Sequence, residues 1–361
     1  KIQNCGIYFV SSDSSEPYDL SLPSVDSAAY ITFMNEKTAR SRIDDGGAVT
    51  RIYSKNRVYT GLKYSTRIYV GDYAYSNSIE ELAHESAGVK RIGVCRMDVD
   101  DLGKAFVSGF ERQDRSTAEE RQHFVTISRT AAFSRQMSLF FKCYINEILS
   151  GRFGSRPELA VTVVYSGGDD VFLLGAWNDV IEASLRIHKD FTEFSCGALT
   201  ISSGLALVGE HYPVRLSAND SGRLEELAKD EPSKNSICVF DKEHVYGWNT
   251  FINDVIGEKK AALDAFFSLN NQERGTAFLY RMLELLRLAQ DKNDGRLHLA
   301  RYAYLLARLE PPRSSPAFKA YRAFADKMYK WALNENDRAE LITAIYIYVY
   351  ENRKGDKDGL Q

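Results

Sequence analysis

Two short acidic stretches hold the side chains best suited to chemistry. The first is Gly167-Gly168-Asp169-Asp170, set between apolar, β-prone runs at residues 159–165 and 171–175. A glycine pair between such runs predicts a tight hairpin, because glycine supplies the positive φ of the turn and lets a ligand approach the backbone. Adjacent carboxylates at a hairpin tip repel each other unless a cation lies between them. Phosphate chemistry supplies that cation, as paired Mg²⁺ or Mn²⁺ ions held by carboxylates and substrate oxygens. An acidic solvated turn has the same composition, so the hairpin does not decide the matter by itself. The second stretch is Asp98-Val99-Asp100-Asp101, which closes the apolar run at residues 92–97.

The elements around these stretches must bring them together. The run at 92–97 reads as a buried strand ending at Asp98. A helical pattern follows from about 122 to 149, with Phe124, Ile127, Ala131, Met137, Phe140, Tyr144 and Ile148 among its three- and four-residue steps. The hairpin comes next, then a helix with Asn178 or Asp179 as cap and a stripe of Val180, Ser184, Ile187, Phe191 and Phe194. A strand at 199–208, a helix at 215–230 and a strand at 236–240 complete the segment. The order is the ferredoxin-like βαββαβ arrangement, with helices over one face of an antiparallel sheet. Its first strand lies beside the outgoing hairpin strand, so Asp98 and Asp169 are expected at one sheet edge. That convergence turns an ordinary acidic turn into a candidate metal site.

The fold class expected is therefore α+β: a palm at residues 89–248, a β-rich segment before it at 1–88, and an all-helical domain after it at 249–361. Asp44-Asp45-Gly46-Gly47 in the first part reads as a solvated turn. Segments near 258–269, 275–290, 295–309, 317–334 and 338–352 read as amphipathic helices. Their aromatics (Tyr280, Tyr302, Tyr304, Tyr321, Trp331, Tyr346, Tyr348 and Tyr350) are expected to pack a bundle rather than stack bases. With 46 basic and 49 acidic residues the net charge is −3, so no global polyanion-binding signal exists. Cys5, Cys95, Cys143, Cys196 and Cys238 form no C-x-x-C pair, which argues against a zinc ribbon and fits a reducing cytoplasm. No apolar run approaches the roughly 20 residues that span a bilayer, and there is no signal peptide. A start at Lys1 that runs directly into strand-like sequence reads as a fragment.

Three segments carry a closer resemblance: Arg96-Met-Asp-Val-Asp-Asp-Leu-Gly-Lys104; Val164-Tyr-Ser-Gly-Gly-Asp-Asp-Val-Phe172 with Gly175-Ala-Trp-Asn-Asp179; and Ala228-Lys229 with Lys234-Asn-Ser-Ile237. Together they resemble the second palm domain of the large subunit of type III CRISPR effector complexes, in the Csm-type branch, a palm related to GGDEF nucleotide cyclases. The resemblance covers about residues 80–245, extends to the helical C-terminal part, and fades before residue 66. It implies polymerisation and cyclisation of ATP into cyclic oligoadenylate messengers when the complex captures target RNA. By the resemblance, Asp98, the Val99 carbonyl, Asp169 and Asp170 hold two Mg²⁺ or Mn²⁺ ions. Leu102 and Gly103 cup the triphosphate, Ser166, Gly167 and Gly168 border the nucleotide, and Lys229 and Lys234 neutralise its outer phosphates. Asp100 and Asp101 are expected either to support the metal ligands from behind without binding metal, or to be solvated.

The implied partners are the other subunits of the complex, its guide and target RNA, and ATP, with no membrane. The HD nuclease domain, first palm and cysteine-rich zinc segment of full-length members are not visible, so the sequence gives no grounds for a DNase activity. The nucleotide pocket of the family forms between two palms, which leaves this chain one catalytic half-site. Two alternatives stand. One is a GGDEF-type dinucleotide cyclase, although Asp170-Val171 replaces the usual Glu-Phe. The other is a silent scaffold docking guide RNA and subunits, with Arg322, Lys327 and Lys330 near phosphates.

Overall fold

The computed structural model describes residues 7–11, 18, 20–23, 28–44, 51–56, 65–112, 114, 117, 120, 122–152, 156–269, 275–290 and 295–353. They fall into two compact units. The first is Lys1–Tyr73, Gly103–Glu158 and Val163–Val171; the second is Ala74–Leu102, Leu159–Thr162 and Phe172–Gln361.

In the first unit, β1 (Ile7–Ser11), β2 (Leu20–Pro23), β3 (Ala28–Met34), β4 (Arg51–Lys55) and β5 (Ser65–Ile68) form a five-stranded sheet ordered β2-β3-β1-β4-β5. Helix α1 (Glu36–Asp44) lies between β3 and β4. Asp44 therefore ends a helix, and the rest of the expected turn, residues 45–47, lies outside the described residues. The segment after β5 is tied down by amides: Asn56 bonds Val70 and Asp72, and the Asn146 side chain accepts from the Asp72 and Tyr73 N–H groups at 2.9 and 2.8 Å. Asn146 belongs to the long helical run, which is broken where the pattern predicts continuity. It consists of α3 (Ile127–Leu139), a π segment (Phe140–Tyr144) and α4 (Ile145–Leu149).

Helix α2 (Ile79–Glu85) leads into the palm, whose strands are β6 (Ile92–Val99), β7 (Val161–Gly167), β8 (Asp170–Ala176), β9 (Ile201–Val208), β10 (Ser236–Val239) and β11 (Val245–Gly247). Their order is β11-β10-β9-β6-β8-β7, so β6 lies between β9 and β8 as the βαββαβ pattern requires. β9 runs antiparallel to β6 and pairs Asp98 with Ser202; β10 is parallel to β9.

Glycines show which helix covers which face. A Cβ on Gly93 would lie 2.9 Å from the Trp177 Cα, so α5 (Trp177–Phe194) crosses there. A Cβ on Gly204 would lie 2.1 Å from the Glu225 N, so α6 (Val214–Asp230) crosses there. Gly204 faces Arg96 in register, and strand side chains alternate, so the two helices lie on opposite faces. Both faces are covered, where one was expected. Gly204→Ala is accordingly expected to destabilise the chain by about 3 kcal/mol, measured by urea denaturation, because helix backbone must move to admit the methyl.

Helix α5 begins at Trp177, one residue before the expected cap. Asn178 and Asp179 lie in its first turn, where they accept from the Ala87 and Ala160 N–H groups. The C-terminal part begins with a π-helix (Thr250–Lys260) running into α7 (Ala261–Leu269). Then follow α8 (Gly275–Leu288), α9 (Gly295–Arg308), α10 (Phe318–Leu333) and α11 (Glu335–Asn352). Lys259, 1% exposed, is neutralised there by Asp337 at 3.0 Å and Glu340 at 2.6 Å. Tyr302 and Tyr321 are buried as expected, but Tyr304 is 67% and Tyr280 43% exposed. No described helix is long and apolar enough to cross a membrane.

Candidate active site

Asp98 points to the face that α6 covers, because it shares alternation with Arg96, opposite Gly204. The helix crosses closely at that glycine and brings Lys229 onto the Asp98 carboxylate. Lys229 also meets Glu225 at 2.7 Å, one helical turn earlier. Burial would lower the Lys229 pKa, but hydrogen bonds and charge from Asp98 and Glu225 outweigh it and hold the ammonium above the usual lysine value. The strand continues through Val99, paired with Ile201, so Asp98 sits inside β6 rather than at its end.

Asp100 is not solvated; it has the supporting place that was the other expectation. It is 4% exposed; Thr200 Oγ1 and the Asn235 N–H donate to Oδ2 at 2.7 and 3.0 Å, and Ser202 Oγ donates to Oδ1 at 2.8 Å. Three donors on one buried carboxylate replace the water it loses. The Asn235 it holds is left-handed, as is Lys234, with φ of 47° and 48°. Lys234 Nζ meets Asp101 Oδ1 at 2.8 Å.

On the other side of Asn235, His188 Nε2 lies 3.3 Å from Oδ1, and the ring stacks on Trp248 at 4.4 Å. Burial pushes the His188 pKa down to about 4, and the bond to Asn235 only partly opposes this. The unfolded chain therefore takes the proton first as pH falls. His188 contributes fully above about pH 6.5, and that stabilisation, on the order of 3 kcal/mol, is lost as pH falls toward 4. Urea unfolding followed by Trp248 fluorescence is expected to show this pH slope in wild type and a flatter one in His188→Gln. Equal slopes would refute the assignment.

In the first unit, Gly168 and Asp169 form the two-residue turn between β7 and β8, and Asp170 opens β8. Gly168 has φ +71°, which a side chain would strain, although a Cβ there would meet nothing within 4 Å. Gly167 lies within β7 and needs no such angle. Ser166 donates its hydroxyl to the Phe141 carbonyl in the π segment. Tyr165, 53% exposed, has its pKa raised by the charge of Asp170 first, then by burial, a bond to Asp170 and the charge of Asp169. Gly103 is exposed beside Leu102, and a Cβ on it would also meet nothing within 4 Å.

The structure thus groups Asp98 with Lys229, and Asp101 with Lys234. Glu225 and Asn235 were missed by sequence reasoning. The i,i+4 spacing of Glu225 and Lys229 was the one legible signal among them. Among the described residues, no three His, Cys, Asp or Glu side chains form a metal cage. The donors Asp98, Val99 carbonyl, Asp169 and Asp170 are all hard oxygens, and that chemistry suits Mg²⁺ or Mn²⁺.

Comparison with known proteins places these elements in a family. Residues 91–238 match the Cas10/Cmr2 second palm domain, and residues 264–354 match the second helical domain of the Cmr2 subunit of the CRISPR RNA silencing complex. The chain belongs to the Cas10/Cmr2 family. A Cas10/Csm1 protein of Mycobacterium tuberculosis, named a subtype III-A CRISPR system single-strand-specific deoxyribonuclease, is 39% identical over 316 residues, 85% of this chain and 37% of the relative. The same-named Cas10/Csm1 protein of Enterococcus italicus is 37% identical over 335 residues, 91% of this chain and 40% of the relative. The chain thus spans about two-fifths of the length of these curated Cas10 relatives. Its fold matches Csm1 in the apo Csm1-Csm4 cassette with TM-score 0.69 and 23% identity, over 97% of this chain and 48% of the other. The same cassette crystallised with cA4 gives a TM-score of 0.67 at 24% identity, again over 97% and 48%.

Proposed function

We propose that this Cas10-family palm is a nucleotidyltransferase that converts ATP to cyclic oligoadenylate within a type III CRISPR complex. One observation carries the proposal: β8, which opens at Asp170 of the Gly-Gly-Asp-Asp hairpin, is the sheet neighbour of β6, which bears Asp98. Csm1-Csm4 cassettes of matching fold have been crystallised with ATP, pppApA, cA3 and cA4, which supports the choice of substrate and product. The divisions at residues 88 and 248 belong to the same proposal.

In this proposal Asp98, the Val99 carbonyl, Asp169 and Asp170 hold the two divalent ions. Such ions, when bound, lower the pKa of the attacking ribose hydroxyl and stabilise charge at the phosphorus. Gly167 and Gly168 leave the hairpin backbone open to the nucleotide. Leu102 and Gly103 lie against the triphosphate, as does the Ser166 backbone. Lys229 neutralises Asp98; held also by Glu225, it is positioned to turn its ammonium to the departing pyrophosphate. Lys234 adds a second cation. The ribose hydroxyl gives up its proton to water, and its oxygen forms the new bond to the α-phosphorus as the bond to pyrophosphate breaks.

Partner subunits, guide RNA and target RNA belong to the proposal, supported by the Csm1-Csm4 subcomplex of the type III-A interference complex among the fold matches. A second palm would complete the pocket. A cytoplasmic location is consistent with the four cysteines among the described residues, Cys95, Cys143, Cys196 and Cys238, all being free thiols. The deoxyribonuclease in the relatives' names is no part of this proposal, which rests on palm residues. The test supplies the full-length protein, in its complex, with ATP, GTP and Mg²⁺. Pyrophosphate release with oligoadenylate as product supports the proposal. A mixed or guanine dinucleotide favours a GGDEF-type cyclase, and ATP binding without turnover favours a scaffold.

A further inference from the structure

The nucleotide-facing machinery, as proposed, contains Lys234 but does not use Asp100. Three features make Asp100 more than a buried acid. It joins two secondary-structure elements: the end of β6, whose Asp100 N–H donates to the Thr200 carbonyl at 2.9 Å, and the loop before β10, whose Asn235 N–H it accepts. Next, that loop is in a costly conformation, since Lys234 and Asn235 are consecutive non-glycine residues at positive φ. Such a pair persists only where its surroundings hold it. Finally, Asn235 is gripped at three polar atoms: its N–H by Asp100, its carbonyl by the Trp248 N–H at 3.1 Å, and its amide oxygen by His188. Lys234, the residue so oriented, keeps its side chain one-third exposed and paired with Asp101.

Resting on the nucleotidyltransferase reading of this site, we propose that Asp100 is a positioning residue. It holds the left-handed Lys234-Asn235 pair so that the Lys234 ammonium stands beside Asp101, ready for an anionic phosphate. Asp100 touches no substrate. Thr200 and Ser202 saturate the carboxylate and fix its rotamer, and Asn235 passes that constraint to Lys234.

The inference makes Asp100 matter only through Lys234, which a double-mutant cycle can test. In the full-length protein within its complex, affinity for a non-hydrolysable ATP analogue and the KM and kcat for ATP are measured. The variants are Asp100→Ala, Lys234→Ala and the pair. Asp100→Ala is expected to weaken analogue binding and raise KM roughly tenfold, with kcat within about twofold. In the Lys234→Ala background it is expected to change neither. Asp100→Asn keeps the acceptor facing the Asn235 N–H and is expected to restore most of the affinity.

Should Asp100→Ala not assemble, Thr200→Val removes one of the three bonds and is expected to act in the same direction, roughly threefold, and again only when Lys234 is present. Equal effects with and without Lys234, or a loss confined to kcat, would overturn the positioning role. If wild type binds the analogue and turns over ATP while these variants behave additively, the positioning role fails and the enzyme reading stands. Failure of wild type to bind the analogue would overturn both.

Discussion

Replacing Asp169 and Asp170 together by Ala is expected to lower cyclic oligoadenylate formation by about three orders of magnitude or more. The two carboxylates lie at a hairpin turn and the first residue of β8, and the two-residue connection lets neighbours that would otherwise face opposite sides serve one site. Removing them costs the hairpin little. The turn is set by Gly168 at φ +71°, and relief of like-charge repulsion offsets loss of the exposed Tyr165–Asp170 bond, so stability should change by less than about 1 kcal/mol. A second readout is independent of turnover. The Tyr165 phenol is raised chiefly by Asp170, so its pKa should fall toward the ordinary tyrosine value in the double variant, visible by ultraviolet titration. Turnover within tenfold of wild type would sink the assignment.

Asp98→Asn is the other large effect expected, a loss of roughly 100- to 1,000-fold in turnover with folding retained. The charge on Asp98 is balanced by Lys229 rather than buried without a partner, and Lys229 keeps Glu225 when Asp98 is neutralised. The variant therefore leaves no isolated ion, the situation that makes breaking a buried pair so destabilising. Lys229 should fall toward the usual lysine pKa, since one of the two carboxylates that raise it is gone. Thermal unfolding and pyrophosphate release measured on one preparation distinguish the outcomes. Activity lost together with the fold would show that Asp98 is structural.

Much of the palm was legible because its strands are continuous apolar runs and its helices carry clear three- and four-residue stripes. The run at 92–97 became β6, and the order β9-β6-β8-β7 followed from the βαββαβ succession. What was not legible depended on faces and on pairs distant in sequence. Nothing in the amphipathic stripe of residues 214–230 says which side of a sheet it covers. The contact at Gly204 and the Lys229–Asp98 pair show that α6 lies on the Asp98 face. That is why Lys229 was foreseen as a phosphate ligand but its bond to Asp98 was not. Whether Asp100 supports the site or is solvated stayed open in the sequence because its partners Thr200, Ser202 and Asn235 are about 100 residues or more away along the chain. The π segment at Phe140–Tyr144 was invisible to periodicity, which registers a one-residue shift only as blurring.

The central claim is that Asp98 and the Gly-Gly-Asp-Asp hairpin hold the same metal ions around ATP. The most direct measurement is a crystal structure of the full-length protein in its complex, soaked with Mn²⁺ and a non-hydrolysable ATP analogue, with anomalous scattering used to locate the metal. The prediction is an anomalous peak at roughly 2.1 Å from carboxylate oxygens of both Asp98 and Asp169, with Lys229 drawn off Asp98 toward phosphate. An anomalous peak elsewhere, with Lys229 still seated on Asp98 beside bound nucleotide, would contradict it.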